Sequence, residues 1–331
     1  MILVTGGTGL VGSHLLYHLT LKNDAISAIY RTDKKRAHVK KIFSYYTDDI
    51  ELAFSKINWI KADITDITSL ETVFKNITQV YHCAALVSFN PKDYRKMRQV
   101  NIEGTANIVN LSIENKVQKF CFVSSIAAVG DAINNKPITE ENEWTDNGEN
   151  NGYSITKYGA EIEVWRGSQE GLDVVIVNPG VILGSGFWQE GSGKLFTQIN
   201  NGFKFYTEGI TGFVGVKDVV KSMIALMSSD IKNERFILVS ENKSFKDILF
   251  TIADGLNKKR PTIKIGKLAT AIFWRADWLL TKLFGKTPLL TKNSARSSHN
   301  ISFYSSEKTT NSINFNFTPI NSVINDVSKK L

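Results

Sequence analysis

The 331-residue sequence predicts an α/β fold in which helices cover both faces of a parallel β-sheet. Short apolar runs rich in β-branched residues alternate with helical patterns through the first half of the chain, as in successive right-handed βαβ units. The first run, residues 2–5, is followed by regularly spaced glycines at Gly6, Gly9 and Gly12. After Pro179 glycines become frequent and the alternation becomes irregular, which predicts a smaller C-terminal lobe.

Each predicted strand is an apolar run bounded by polar or glycine residues. The predicted strands span residues 2–5, 25–30, 57–62, 79–84, 119–124 and 173–177. The helical patterns between them span residues 10–21, 69–75, 93–114 and 153–170.

The glycine spacing after the first strand has the chemistry of a dinucleotide site. Gly6 permits a tight turn, Gly9 leaves room for a pyrophosphate, and Gly12 lets the first helix pack closely on the sheet. The helix N-terminus that follows offers free N–H groups and the positive end of its dipole to phosphates. The sequence therefore predicts a Rossmann-type, doubly wound sheet that binds a dinucleotide; a glycine-rich turn without a ligand is the alternative.

The predicted organisation is a dinucleotide-binding domain over residues 1–178 and a mixed α/β lobe over residues 179–331 that binds the substrate. A strand at 213–216 and the helix begun by Asp218 are expected to return to the first domain, so that residues 213–230 belong to it. Ligands of open α/β sheets bind beyond the carboxyl ends of the strands. The loops after Ala85, Ser125 and Asn178 should therefore meet over the cofactor.

Composition and charge exclude several other classes of function. A net charge of +8 is modest for this length, and no interleaving of basic and aromatic residues indicates a nucleic-acid surface. Cys83 and Cys121 lie in apolar runs and are expected to be buried free thiols, not metal ligands. No signal peptide is expected before the first strand, and the protein is predicted to be cytoplasmic. The apolar segment 268–284 is interrupted by Arg275 and Asp277, so stable membrane insertion is not expected.

Tyr153 and Lys157 stand four residues apart in a predicted helix and therefore share one face. A cationic Lys157 would lower the pKa of Tyr153, which would make the phenol a usable acid or base near neutral pH. Ser125 follows the fifth strand, at the edge where ligands bind, and its hydroxyl could hydrogen-bond a substrate carbonyl or alcohol. A surface pair of Tyr and Lys is the alternative, which the glycine-rich start disfavours.

Further motifs occur in order along the chain. They are Thr5-Gly6-x-x-Gly9-x-x-Gly12, Asp63, the segments 80–85, 101–105 and 123–125, Tyr153-x-x-x-Lys157, and the segments 178–184 and 216–220. Together they resemble the extended short-chain dehydrogenase/reductases of the NAD-dependent epimerase/dehydratase family. The resemblance covers the chain from residue 1 to about residue 225 and is weaker beyond it.

The resemblance implies a role for each residue of the candidate catalytic set. Ser125 would position the reacting oxygen, Tyr153 would pass it a proton, and Lys157 would hold the nicotinamide ribose and tune Tyr153. Asn101 would support a proton relay or the helix geometry, and a structural amide is an equal alternative. Ser125 aligns with the second serine of the family's pair, while an alignment shifted by one residue would select Ser124.

The resemblance also implies the cofactor contacts. They are Gly6, Thr8, Gly9, Leu10, Gly12, Arg31, Asp63, Ile64, Ala84, Ala85, Tyr153, Lys157, Pro179 and Val181. Asp63 would contact the adenine, and a turn or helix-capping aspartate is the alternative.

The residues after the second strand favour NADP(H) over NAD(H). NAD sites usually carry an acidic side chain at this point for the ribose 2′-hydroxyl. Here Arg31 ends the strand, and Asp33 comes late among basic neighbours. Arginine can bind a 2′-phosphate bidentately, so Arg31 is the expected reader of NADP(H). NAD(H) stays possible, and a solvated basic surface is the alternative.

The resemblance also narrows the range of reactions that we expect this protein to catalyse. Apolar residues at 126–128 follow Ser125 where dehydratases carry acidic residues, and the segment 175–180 resembles the dihydroflavonol reductase and 3β-hydroxysteroid dehydrogenase branch. The expected function is NAD(P)H-dependent reduction of a carbonyl, or oxidation of the alcohol, in a small organic substrate. Aromatic residues are candidates for an apolar pocket, with core packing as the alternative. These residues are Phe89, Phe187, Trp188, Phe203 and Trp274.

Two other functions remain open from the sequence. One is a nucleotide-sugar epimerase that retains NAD(H), and the other is a non-catalytic protein that senses NADP(H). Many relatives dimerise through the two helices that correspond to 93–114 and 153–170, so a homodimer is possible.

Overall fold

The structure is a computed structural model that describes residues 1–22, 25–134, 136–145, 150–284 and 291–331. Side chains are described in these ranges except at 278–284. Parts of the predicted substrate loop 126–152 and of the lobe 179–331 therefore lie outside the described residues.

Strands and helices alternate through the first half of the chain, as the sequence predicts. The strands are β1 (Ile2–Thr5), β2 (Ile26–Tyr30), β3 (Ile57–Lys61), β4 (Gln79–His82), β5 (Lys119–Val123), β6 (Val174–Pro179), β7 (Val181–Leu183), β8 (Phe205–Tyr206), β9 (Ile210–Gly215), β10 (Glu234–Leu238), β11 (Glu241–Ser244) and β12 (Ile263–Lys264). The helices are α1 (Leu10–Thr20), α2 (Asp33–Phe43), α3 (Ile50–Ser55), α4 (Ile67–Leu70), α5 (Tyr94–Arg98), α6 (Gly104–Glu114), α7 (Gly152–Gln169), α8 (Gly193–Asn200), α9 (Val216–Met227), α10 (Phe245–Gly255), α11 (Lys267–Phe284), α12 (Lys292–Ser297), α13 (Glu307–Ile313) and α14 (Ile320–Ser328).

Seven parallel strands form the main sheet in the order β10-β6-β5-β4-β1-β2-β3. The strand order reverses between β1 and β4, and such a switch point opens a crevice at the carboxyl ends of the strands. The predicted doubly wound α/β fold is therefore confirmed.

Apolar side chains cover both faces of this sheet. One core cluster joins residues of α1, α2 and α9 to the sheet, and it includes Leu15, Phe43 and Met223. The other joins residues of α6 and α7 to the opposite face, and it includes Ile108 and Val164. Because parallel strands are covered on both faces, their sequences are almost continuously apolar, which is the pattern that predicted them.

Two predicted helices differ from the structure. The helix predicted over 93–114 is interrupted by a π-helical turn at Gln99–Glu103, between α5 and α6. Such turns are frequent at functional sites, and hydrophobic periodicity does not show them. The helix predicted over 69–75 was placed too late, because Asp66 caps α4 and the helix ends at Leu70. Asn76 then takes a left-handed conformation, with φ 63°, before β4.

The strand predicted at 213–216 is β9, and it does not join the main sheet. It pairs with β7 and antiparallel with β11 in a separate three-stranded sheet, where Phe213 faces an apolar core shared with α8, α10 and α14. The following helix, α9, does pack on the main sheet through residues such as Val219. The sequence analysis missed β10, the seventh main-sheet strand, because its run begins with Glu234 and Arg235.

Within the described ranges, no helix combines the length and the apolar character that crossing a bilayer requires. The same ranges contain no group of three or more His, Cys, Asp or Glu side chains placed to hold a metal ion.

Candidate active site

The glycine turn after β1 has the shape that the sequence predicts. Gly6 has a φ of +65°, and a Cβ there would lie 2.5 Å from the backbone nitrogen of Ala84. A Cβ on Gly12 would collide with the carbonyl oxygen of Gly6. Both glycines are therefore required by the protein's own packing.

Gly9 differs from these two glycines. A Cβ on Gly9 would meet one protein atom, the Gly6 carbonyl oxygen, at an ordinary distance of 3.4 Å. The N–H groups in the first turn of any helix have no acceptor within the helix. In α1 the N-cap residue is Gly9, which has no side chain to accept a hydrogen bond from them. Thr8 and Leu10 are half-buried on either side of it. This open cradle at a helix N-terminus fits the diphosphate of a dinucleotide.

The ends of β2 and β3 bring Arg31 and Asp63 together. A guanidinium nitrogen of Arg31 lies 3.7 Å from a carboxylate oxygen of Asp63, and the Arg31 side chain is 53% exposed. The other Asp63 oxygen accepts hydrogen bonds from the backbone and hydroxyl of Thr65, so Asp63 also shapes its own turn. Asp33, the acidic residue of the same segment, is paired with Arg36 at 2.9 Å.

The remaining cofactor candidates lie at the same edge of the sheet. The Ala84 backbone nitrogen approaches Gly6 and donates to the Thr5 hydroxyl at 3.4 Å, and Ala85 is exposed beside it. Pro179 ends β6 and Val181 begins β7. The side chain of Ile64 is buried in the core against Gly104, so only the main chain of Ile64 could reach a cofactor.

Ser125 lies beside Tyr153. Ser125 follows β5, and its hydroxyl accepts a hydrogen bond from the Ala127 backbone at 3.1 Å. Burial raises the pKa of Tyr153 above its ordinary value, and the nearby Ser125 hydroxyl opposes this rise. The expected lowering by Lys157 is therefore wrong in direction, because burial dominates the environment of the phenol.

Lys157 lies one turn further along α7 and is 2% exposed. Its ammonium donates to the Val123 carbonyl oxygen at 2.7 Å and lies 4.4 Å from the centre of the Phe122 ring. Burial lowers the pKa of Lys157 from 10.5 to about 8, against an opposing effect of Glu161. The lysine is thus a buried cation that is still charged at neutral pH.

Glu161 is a site residue that the sequence analysis missed. It lies one turn beyond Lys157 on α7 and is 1% exposed. One carboxylate oxygen accepts from the Ser124 hydroxyl at 2.6 Å and from the Asn178 amide at 2.9 Å. A signal was present in the sequence, since a charged residue four positions after Lys157 shares the face that meets the sheet.

Asn101 clamps the backbone after β4 from within the π-helical turn. Its side-chain oxygen accepts from the Leu86 nitrogen at 2.7 Å, and its amide donates to the Leu86 carbonyl at 3.0 Å. The amide also donates to the Thr156 hydroxyl at 3.1 Å. These bonds use the side chain to join α7 to the loop that carries Ala84 and Ala85.

Of the aromatic pocket candidates, Phe89 is in ring contact with Tyr153, edge to face at 5.9 Å between centroids. The others form contacts elsewhere: Phe187 with His38, Trp188 with Phe196 in the core of the lobe, Phe203 with Phe205, and Trp274 with Arg275. Of the five candidates, Phe89 is therefore the ring that lies beside Tyr153, and an apolar pocket that includes the other four stays a prediction.

Comparisons with known proteins show the family of this chain. Residues 2–238 match the sequence model of the NAD-dependent epimerase/dehydratase family. Anthocyanidin reductase of Arabidopsis thaliana is 28% identical over 290 residues, covering 79% of this chain and 81% of that protein. UDP-glucose 4-epimerase of Vibrio cholerae is 28% identical over 306 residues, covering 88% of this chain and 84% of that protein. The crystal structure of gox2253 has a TM-score of 0.80 at 24% identity and covers 99% of this chain and 96% of its own.

Proposed function

Because the chain belongs to the NAD-dependent epimerase/dehydratase family, we propose that it is an NADPH-dependent reductase of a carbonyl group in a small organic substrate. Its family and relatives are NAD(P)-dependent oxidoreductases or epimerases of the extended short-chain dehydrogenase/reductase type, so the chain is an enzyme. Tyr153 and Lys157 on one helix, with Ser125 beside Tyr153, supply the groups for proton transfer to a carbonyl oxygen. The activity named for the anthocyanidin reductase relative favours net reduction.

In this proposal the residues of the chain supply orientation and a proton. When bound, the reduced nicotinamide supplies a hydride to the carbonyl carbon. The Ser125 hydroxyl orients the carbonyl oxygen by a hydrogen bond, and the Tyr153 phenol gives that oxygen its proton. The products are the alcohol, the oxidised cofactor and a phenolate, which regains a proton from solvent.

The electrostatics of the two titrating groups agree with the reductive direction. The raised pKa of Tyr153 keeps the phenol protonated at neutral pH, so a proton is available to donate. Lys157, with a pKa of about 8, is charged at pH 7. In this proposal it holds the nicotinamide ribose, one turn from Tyr153 on α7.

The basic end of β2 supports NADPH as the preferred cofactor. Arg31 is half exposed and faces the crevice edge with Asp63, while the carboxylate of Asp33 is neutralised by Arg36. An exposed guanidinium can bind a 2′-phosphate through paired hydrogen bonds. Fluorescence titration with NADPH and NADH tests this preference, and tighter binding of NADH would contradict it.

The experiment that tests the proposed reaction is a screen of carbonyl compounds with both reduced cofactors, in which the absorbance of the reduced cofactor measures turnover. We expect stoichiometric loss of NADPH with one substrate class. Substrate isomerisation without net cofactor oxidation would instead favour a nucleotide-sugar epimerase with retained NAD, the activity named for the Vibrio cholerae relative.

A homodimer through the helices at 93–114 and 153–170 is the assembly that the family resemblance favours. α6 and α7 pack against the same face of the main sheet, and Ile162 on α7 is exposed. Sedimentation velocity of wild type and Ile162→Glu tests this assembly, and an unchanged monomer in both would refute it.

A further inference from the structure

We infer that Glu161, which lies beneath the candidate site, positions Ser125 through Ser124 and Asn178 and acts as the counter-charge of Lys157. The kinetic consequence of this inference rests on the proposed carbonyl reduction. Its structural basis is a set of buried contacts that join α7 to three main-sheet strands or their ends.

The Glu161 carboxylate is hydrogen-bonded on both oxygens. Oε2 accepts from Ser124 and Asn178, as described above, and Oε1 accepts from Arg235 at 3.2 Å and from Trp165 at 3.4 Å. The donors come from the end of β5, from β6, from β10 and from α7 itself. A carboxylate that is 1% exposed needs such partners, because an unpaired buried charge is costly.

Two of these contacts hold the chain at Ser124 and Ser125. Glu161 holds the side chain of Ser124, the residue directly before Ser125. Asn178 donates from the same amide nitrogen to Glu161 and to the carbonyl oxygen of Ser125, at 2.9 and 3.0 Å. The backbone on both sides of the Ser125 Cα is therefore held by one carboxylate and its amide partner. The Ser124 hydroxyl is thus engaged by Glu161, and Ser125 is the serine that affects the Tyr153 phenol.

Glu161 also affects the charge of Lys157, which lies one turn before it on the same helix. Burial of the lysine disfavours its charged form, and the negative charge of Glu161 opposes this effect more than that of any other acid. Cys83 also opposes it, but desolvation raises the pKa of that thiol to about 12, so that it is neutral at pH 7. Glu161 is thus the working counter-charge of the ammonium at neutral pH.

Arg235 extends the network toward the loop that follows Ser125. Besides its bond to Glu161, its guanidinium donates to the carbonyl oxygens of Glu140 and Asn142. The Glu140 side chain in turn accepts from the Ile237 nitrogen at 2.7 Å. Through its ion pair with Glu161 and its bonds to these carbonyl oxygens, Arg235 joins α7, the edge strand β10 and the predicted substrate loop.

A glutamine at position 161 would have nearly the same shape but could not replace the carboxylate. Its NH₂ group would face either the guanidinium of Arg235 or the amide of Asn178, both of which are donors. It would also remove the charge that opposes the desolvation of Lys157. The matched control is Glu163→Gln, because Glu163 lies on the same helix and is paired with Arg166 at the surface.

The test is a ¹³C NMR titration of lysine labelled at Cε, with the Lys157 signal assigned by its loss in Lys157→Arg. In wild type we expect one lysine to titrate well below the others. Glu161→Gln should move this transition to lower pH by about one unit. Glu163→Gln should leave it in place.

Turnover gives the second readout. For Glu161→Gln we expect a fall in kcat on the order of tenfold, with the alkaline limb of the pH profile shifted to lower pH and the KM for NADPH little changed. If Glu161→Gln unfolds because Arg235 is left unpaired, the double variant Glu161→Gln/Arg235→Gln removes both charges and is used for the same titration.

The outcomes separate this inference from the proposed function. An unchanged Lys157 titration in the folded Glu161→Gln or double variant would overturn the inference, whatever the turnover. Lack of carbonyl reduction by wild type would overturn the proposed function alone, because the lysine titration requires no substrate.

Discussion

Ser125 lies beside Tyr153, close enough for its hydroxyl to oppose the rise in the pKa of the phenol, although the two residues lie on different elements of the fold. They are neighbours because the strand that precedes Ser125 and the helix that carries Tyr153 pack on each other at the carboxyl edge of the sheet. A substrate oxygen that reaches both groups would be oriented by one and protonated by the other.

Replacing Tyr153 by phenylalanine should abolish turnover while cofactor binding persists. The phenol is the proposed proton donor, and loss of a general acid typically costs about 10²- to 10⁴-fold in rate. Absorbance at the reduced-cofactor band measures turnover, and fluorescence titration measures NADPH binding. Tyr158→Phe is the control, since Tyr158 stacks on Trp144 at 4.3 Å on the same helix. Full activity in Tyr153→Phe would remove Tyr153 from the mechanism.

Gly12→Ala should lower stability, whereas Gly9→Ala should weaken cofactor binding. Gly12→Ala brings its Cβ onto the Gly6 carbonyl and should lower the free energy of unfolding. Gly9→Ala has room within the protein and should fold normally, but its methyl group would occupy the proposed diphosphate cradle. Thermal unfolding and NADPH titration on both variants test this contrast. A Gly9→Ala protein that binds NADPH as wild type does would argue against the cradle.

Arg31→Ala should weaken NADPH binding by about tenfold or more and change NADH binding much less, because one charge-assisted phosphate contact is lost. The dissociation constants of both cofactors, measured at two ionic strengths, test this prediction. Lys34→Ala serves as the control, since Lys34 is exposed on the same basic segment. Equal weakening of both cofactors would mean that Arg31 does not read the 2′-phosphate.

The buried Lys157 should make the fold less stable at neutral pH than at higher pH. Its folded-state pKa of about 8 lies below the unfolded value of 10.5, so the unfolded chain binds more protons between these values. The penalty is therefore fully present below pH 8 and is relieved as the pH rises toward 10.5. Denaturant unfolding should show the stability of Lys157→Met relative to wild type to be higher at pH 7 than at pH 10, by about 2 kcal/mol.

The exposed Lys41 provides the control, because Lys41→Met should have no such pH dependence. A Lys157→Met stability difference that is constant from pH 7 to pH 10 would contradict the burial of a charged lysine. Comparing each variant with wild type at the same pH cancels the titration of the other groups.

The features that the sequence predicted correctly are those that depend on local patterns of residues. The strands β1 to β6, the glycine turn and the shared face of Tyr153 and Lys157 follow from apolar runs, residue spacing and helical period. The direction of the Tyr153 pKa shift was wrong, because burial of a side chain depends on the whole packed fold.

The missed features depend on contacts between distant segments. Glu161 was missed because its role depends on Ser124, a residue on another element whose hydroxyl it holds. β10 is defined by its pairing with β6, and its first residues, Glu234 and Arg235, interrupt the apolar run that would predict a buried strand. The π-helical turn that presents Asn101 to Leu86 likewise has no period of its own in the sequence.

The most direct test of the central claim is isotope transfer from NADPH deuterated at C4, in both stereochemical forms, to the carbonyl substrate found in the screen. Carbonyl reduction predicts one deuterium on the alcohol carbon from one of the two forms, with one NADPH oxidised for each alcohol made. Product that carries no deuterium, or substrate that isomerises while NADPH stays intact, would contradict it.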